Sequence, residues 1–85
     1  MDRALPRSVR KRLTTSSFES GDDVKALRRF LGMTQAELAL AMGISVHTLR
    51  GWEQSRRRPE GPAVALLRIA ARHPGIIRES LREAA

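Results

Sequence analysis

The sequence predicts an all-α fold, and three observations carry that prediction. Apolar residues recur at helical spacing, with Val24, Leu27 and Leu31 at i, i+3 and i+7. Hydroxyl residues that suit helix N-caps, Thr34 and Ser45, flank a glycine, Gly43, that suits a helix stop. No stretch shows strand-type alternation of comparable quality, and no repeat or low-complexity tract interrupts the pattern.

Residues 1–20, MDRALPRSVRKRLTTSSFES, read as a basic N-terminal arm: five basic residues fall between Arg3 and Arg12, and the apolar positions are scattered. Such a segment is either flexible or ordered only as a short element against a partner. The first helix begins near Asp22, with Asp22 or Ser20 as its cap and an acidic pair suited to a helix N-terminus, and stops at Gly32. Thr34 opens TQAE, the threonine-x-x-glutamate capping box. The second helix follows over about residues 35–42, with Leu38, Ala39 and Met42 as its buried stripe.

Gly43 is placed to take positive φ, and only Ile44 separates it from Ser45, the cap of a third helix reaching about Gln54. Ile44 and Leu49 are spaced as a hydrophobic staple, and Leu49 and Trp52 should face inward. Pro59 to Pro62 is a loop, with Gly61 as N-cap and Pro62 at the first helical position. The fourth helix, AVALLRIAAR, is apolar over most of its circumference, so it is central to the core or lies in an interface. His73-Pro74-Gly75 interrupts it. Ile76, Ile77 and Leu81 then form the expected buried stripe of a fifth, ending near Glu83.

Composition narrows the function. Eighty-five residues make at most one domain, and a chain of this size buries only about 60 to 65% of its unfolded surface. Cysteine is absent, which excludes disulfides, thiolate metal sites and cysteine catalysis; the two histidines are too far apart to suggest a zinc pair. The formal charge is +7, spread over both halves of the chain, and fourteen of the sixteen basic residues are arginine. The planar guanidinium fork matches phosphate and guanine edges, so nucleic acid is the first partner to consider. No apolar run approaches a membrane span or a signal peptide, and the expected location is cytoplasmic. No paired carboxylates, serine–histidine arrangement, metal spacing or glycine-rich phosphate loop points to an enzyme or to a cofactor.

Two short helices joined by a glycine-containing turn, in a basic all-helical chain, are the pattern of a helix-turn-helix, although short helix hairpins also occur in ordinary bundles. The stretch LGMTQAELALAMGISVHTLRGWEQSRRRP resembles the Xre/Cro family of phage-repressor-like DNA-binding domains over about residues 24–72. Within it, SV-x-T-L-x-x-WEQ-x-R-R-x-P followed by GPA-x-A-LL is most similar to HigA-type antitoxins of type II toxin–antitoxin operons. The resemblance implies a compact five-helix, lambda-repressor-like fold with the helix-turn-helix at helices 2 and 3; the apolar fourth and fifth helices, with the arm, are the candidates for dimerisation.

The geometry of such a unit assigns roles. Its second helix enters the major groove while the first crosses the backbone. With Leu49 and Trp52 inward, a rotation of about 100° per residue turns Val46, His47, Arg50 and Gly51 outward. Arg50 is the leading base reader, since arginine bidentate to guanine is the commonest specific contact. His47 reads either as a donor to a base or phosphate, or as a solvated surface histidine. Val46 suits a thymine methyl, and Gly51 would let the helix approach the groove closely. Arg56, Arg57 and Arg58 follow where the DNA backbone should run, as phosphate contacts or as a solvated face. Thr34, Ser45 and Thr48 are further phosphate candidates, the first two already explained by capping. The resemblance adds Gln35, whose family counterpart reaches phosphate and buttresses the reading helix. It also implies that Arg28 and Glu53 form an internal, structural salt bridge.

The expected function is that of a sequence-specific repressor binding a palindromic operator as a homodimer. The resemblance extends this to the antitoxin of an operon that represses its own promoter, partnered by a ribonuclease toxin of the RelE/HigB kind. The alternatives are a stand-alone Xre-type repressor with no toxin partner and a nonspecific nucleic-acid binder.

Overall fold

A computed structural model describes residues 21–85 together with Arg7 and Lys11, both of which are helical and exposed. The rest of the N-terminal arm, and with it the Ser20 cap, lies outside the described residues. Within residues 21–85, five helices span Gly21–Leu31 (α1), Gln35–Met42 (α2), Val46–Glu53 (α3), Pro62–Arg72 (α4) and Pro74–Ala84 (α5). Among the described residues there is no strand.

The core is built from one fully buried leucine on each of the first four helices. Leu27, Leu38, Leu49 and Leu67 are all 0% exposed, and Val24, Trp52 and Ile77 join them. Each such side chain contributes about 1.5–3 kcal/mol by leaving water. The helices α1 and α2 both pack on α3, α1 also meets α4, and α5 lies along α2 and α4. Ser80 ties α5 to the end of α2 by donating to the Ala41 carbonyl at 2.7 Å.

Local rules account for most helix boundaries. Gly32 takes φ 71° after α1, and Pro62 occupies the first turn of α4 behind Gly61. His73 carries the chain directly from α4 into α5, where Pro74 again holds the first turn. The start of α1 excludes one of the two caps expected from the sequence. Helix begins at Gly21 rather than behind an Asp22 cap, and the Gly21 amide donates to Ser55 Oγ at 2.8 Å.

One expectation about burial needs correction. Ile76 is 57% exposed, because Ile77, its neighbour about 100° around the helix, takes the inward position and Leu81 lies half-buried beside it. The α4 helix buries Leu67, Ala70 and Ala71 on one side only and leaves Ile69 38% exposed. Among the described residues, no helix is long and apolar enough to cross a membrane, and no group of three metal-ligating side chains gathers.

Candidate nucleic-acid interface

The pair α2–α3 is fixed by three sets of local bonds. Thr34 Oγ1 accepts the Glu37 amide at 3.1 Å while Glu37 Oε1 accepts the Thr34 amide at 2.8 Å, the complete reciprocal box. Gly43, at φ 72°, lets the Ile44 amide reach back to the Ala39 carbonyl at 3.0 Å and closes α2. Ser45 then caps α3 by accepting the Thr48 amide at 3.0 Å, and its hydroxyl also bonds Thr48 Oγ1 at 3.0 Å. Both hydroxyls of α3 proposed for phosphate are therefore engaged in the cap.

Leu49 and Trp52 hold α3 down, at 0% and 5% exposure, so the opposite face is free to meet a partner. His47 and Arg50 stand exposed on it. Val46 and Thr48 are half-buried, and Val46 packs against the core, so it is less outward than helical rotation alone suggests.

Gly51 departs further: it is buried. Ser55 takes the left-handed conformation, φ 60°, and turns the chain back along α3. The amides of Arg56 and Arg57 both donate to the Gly51 carbonyl, at 2.9 and 3.2 Å. Arg57 consequently lies over Gly51, with its Cδ 3.2 Å from where a β-carbon would stand. The missing side chain makes room for an arginine of the same chain, which corrects the expectation of an open glycine facing a groove.

A polar chain crosses three helices beneath this face. Arg28 on α1 donates from Nε to Glu53 Oε2 at 2.7 Å and from Nη2 to Oε1 at 3.1 Å, a bidentate ion pair, and from Nη1 to the Met33 carbonyl at 3.1 Å. Gln35 at the start of α2 donates from Nε2 to Glu53 Oε1 at 3.2 Å and accepts Arg50 Nε on its own Oε1 at 3.2 Å. Burial pushes the Glu53 carboxyl upward. The hydrogen bonds from Arg28 and Gln35 and the charges of Arg28 and Lys25 outweigh that burial and hold it below its ordinary value of 4.5.

Arg56, Arg57 and Arg58 are exposed at the C-terminal end of α3. The structure thus joins Gln35 to Arg50 and seats Arg57 over Gly51, leaves His47, Arg50 and the three arginines exposed, and engages Thr34 as a cap. Ser55 was absent from the candidate set, although it shapes this end twice, through its backbone turn and its bond to Gly21. Its identity carries no local signal for either role.

A sequence model of the family described as the antitoxin component of the bacterial toxin–antitoxin system, MqsA, matches residues 3–82. The chain belongs to this antitoxin family. Antitoxin HigA-2 of Vibrio cholerae is 38% identical over 55 residues, covering 65% of this chain and 53% of that protein. The MqsA-family chain therefore spans about half the length of that relative. No solved structure matches it. The antitoxin resemblance carried by the motifs between Ser45 and Leu67 agrees with both findings, and the all-helical fold with its short capped α2–α3 pair agrees with a small helix-turn-helix unit.

Proposed function

We propose that this MqsA-family antitoxin is a sequence-specific DNA-binding repressor that binds a palindromic operator in its own operon as a homodimer. The observation that carries the reading is Arg50, exposed on the doubly secured α3 and held at Nε by Gln35. An arginine fixed in this way keeps both Nη groups for guanine O6 and N7. His47 adds a donor one turn earlier, Val46 a partial apolar edge, and Arg56 to Arg58 supply phosphate contacts that set the register without reading sequence. Gln35, Ser45 and Thr48, at the helix N-termini, add backbone contacts from the same side.

One helix covers too little surface for strong specificity, whereas two copies about 34 Å apart read two half-sites. The apolar positions exposed on α4 and α5, Ile69 and Ile76, support C-terminal helices as the dimer contact. Family membership supports a toxin partner; in this reading it is a RelE/HigB-type ribonuclease encoded alongside, and both act in the cytoplasm. In this scheme Gly51 serves the interface indirectly, by seating Arg57.

The test compares the duplex upstream of the protein's own coding sequence with a scrambled duplex at one salt concentration. Tight binding to the first, lost in Arg50→Ala, is the expected result; equal affinity for both duplexes overturns the sequence-specific reading. Co-purification of a small basic protein free of nucleic acid tests the toxin partner.

A further inference from the structure

We propose that Glu53, buried beneath the exposed side chain of Arg50, is a positioning residue for base readout: through the Gln35 amide it sets which edge of Arg50 is presented to DNA. The inference rests on the DNA-binding reading above and deepens it. Its basis is the direction of each hydrogen bond in the chain from Arg28 to Arg50.

A carboxylate only accepts hydrogen bonds, whereas a primary amide has a donating and an accepting end. Glu53 is locked on one side by the bidentate pair with Arg28. Its Oε1 must therefore meet the NH2 end of Gln35, as it does at 3.2 Å. That choice turns the Gln35 carbonyl toward Arg50, where it accepts Nε at 3.2 Å. With Nε so engaged, Arg50 keeps Nη1 and Nη2, the end-on pair that spans guanine O6 and N7. A flipped Gln35 would present a donor to a guanidinium, which has no acceptor, and the bond could not form.

The charge on Glu53 thus has two consequences. It pairs with Arg28, which holds α1 to α3, and it dictates the polarity of Gln35, which orients the side chain on the exposed face. The second is separable from the first in part: Gln35 shares Oε1 with the Nη2 arm of the ion pair, whereas the shorter Nε–Oε2 arm does not involve it.

The experiment uses the full chain, a duplex from its own upstream region, and a set of that duplex with each base pair replaced in turn. Arg50→Ala first marks the base pair at which discrimination is lost. Glu53→Gln, whose amide oxygen can still accept from Arg28 Nε while its NH2 faces Gln35 and gives up the Arg28 Nη2 bond, is expected to lose discrimination at that same pair by roughly 10-fold or more, within the range of one bidentate contact. Affinity for scrambled DNA should stay within a few-fold. Adding Glu53→Gln to Arg50→Ala should cost no further discrimination.

Should Glu53→Gln fail to fold, Glu53→Asp keeps the charge for Arg28 while drawing the carboxylate back from Gln35, and the same single-position loss is expected. A folded Glu53 variant that keeps the wild-type preference at the Arg50 position overturns the proposal. So does one that weakens all duplexes equally and adds fully to Arg50→Ala, since that is the pattern of a purely structural role. Failure of the underlying reading looks different: the wild-type protein itself would then not distinguish its upstream duplex from scrambled DNA.

Discussion

Arg57 lies across Gly51, its Cδ and Cγ standing 3.2 and 3.4 Å from the place a β-carbon would occupy. The contact follows from the left-handed turn at Ser55, which brings the arginine run back over the last turn of α3 instead of continuing it outward. An arginine of the proposed phosphate clamp is therefore seated on the helix that carries the proposed base reader.

Gly51→Ala should raise the stability of the free protein by something under about 1 kcal/mol, the helix-propensity difference less the cost of moving Arg57. The neighbour that must give way is the middle of a flexible, exposed side chain, and a few tenths of an ångström suffice. Urea denaturation checks the sign. The same variant should bind all duplexes somewhat more weakly, with base preference intact, because it displaces a backbone contact and not a reading one.

Gly21→Ala should do the opposite, although the substitution is identical. A β-carbon at Gly21 would overlap the backbone carbonyls of Trp52 and Glu53, and backbone within a packed helix has no comparable freedom to swing aside. Overpacking of this kind costs typically about 1–3 kcal/mol, more than the gain in helix propensity. A lowered urea midpoint is the expected outcome. An unchanged midpoint would mean that α1 and α3 can slide apart without loss.

The contrast between these glycines shows where sequence reasoning stops. Thr34, Glu37, Gly43 and Ser45 satisfy their bonds within five residues, so their types and spacing specify the α2–α3 pair directly. Leu49 and Trp52 are likewise legible from helical spacing. The burial of Gly51 depends on a turn at a serine that no local rule marks for positive φ, and Gly21 is constrained by a helix 31 residues or more away. The Gln35 bridge was anticipated only through a resemblance, because its partners lie 18 and 15 residues distant. Ile76 was assigned inward because two adjacent isoleucines compete for one inward position, and periodicity alone does not choose between them.

Glu53 makes stability depend on pH in a defined direction. Its carboxyl titrates below its ordinary 4.5 in the folded protein. Its contribution is therefore complete above about pH 4.5 and is lost as the pH falls through the depressed folded value. Gln35→Met removes one of the hydrogen bonds responsible and should reduce the depression. The stability difference between wild type and Gln35→Met should then be largest near neutrality and narrow in acid, as read by urea denaturation at pH 7, 5 and 3. A difference that stays constant across this range would separate Gln35 from the Glu53 charge.

Arg56, Arg57 and Arg58 should act through phosphates alone. Three contacts from each protomer would give about six per dimer, and binding should then weaken by roughly 10³-fold or more between 50 and 200 mM salt. Each neutralised phosphate contributes about 0.9 to the slope of log affinity against log salt concentration, so replacing all three arginines by glutamine should flatten it by about 5. Discrimination between the upstream duplex and its single-base variants should persist at low salt, because phosphate contacts are the same for every sequence. A slope unchanged by the triple substitution would remove these residues from the interface, and a loss of discrimination at one base pair would make one of them a reader.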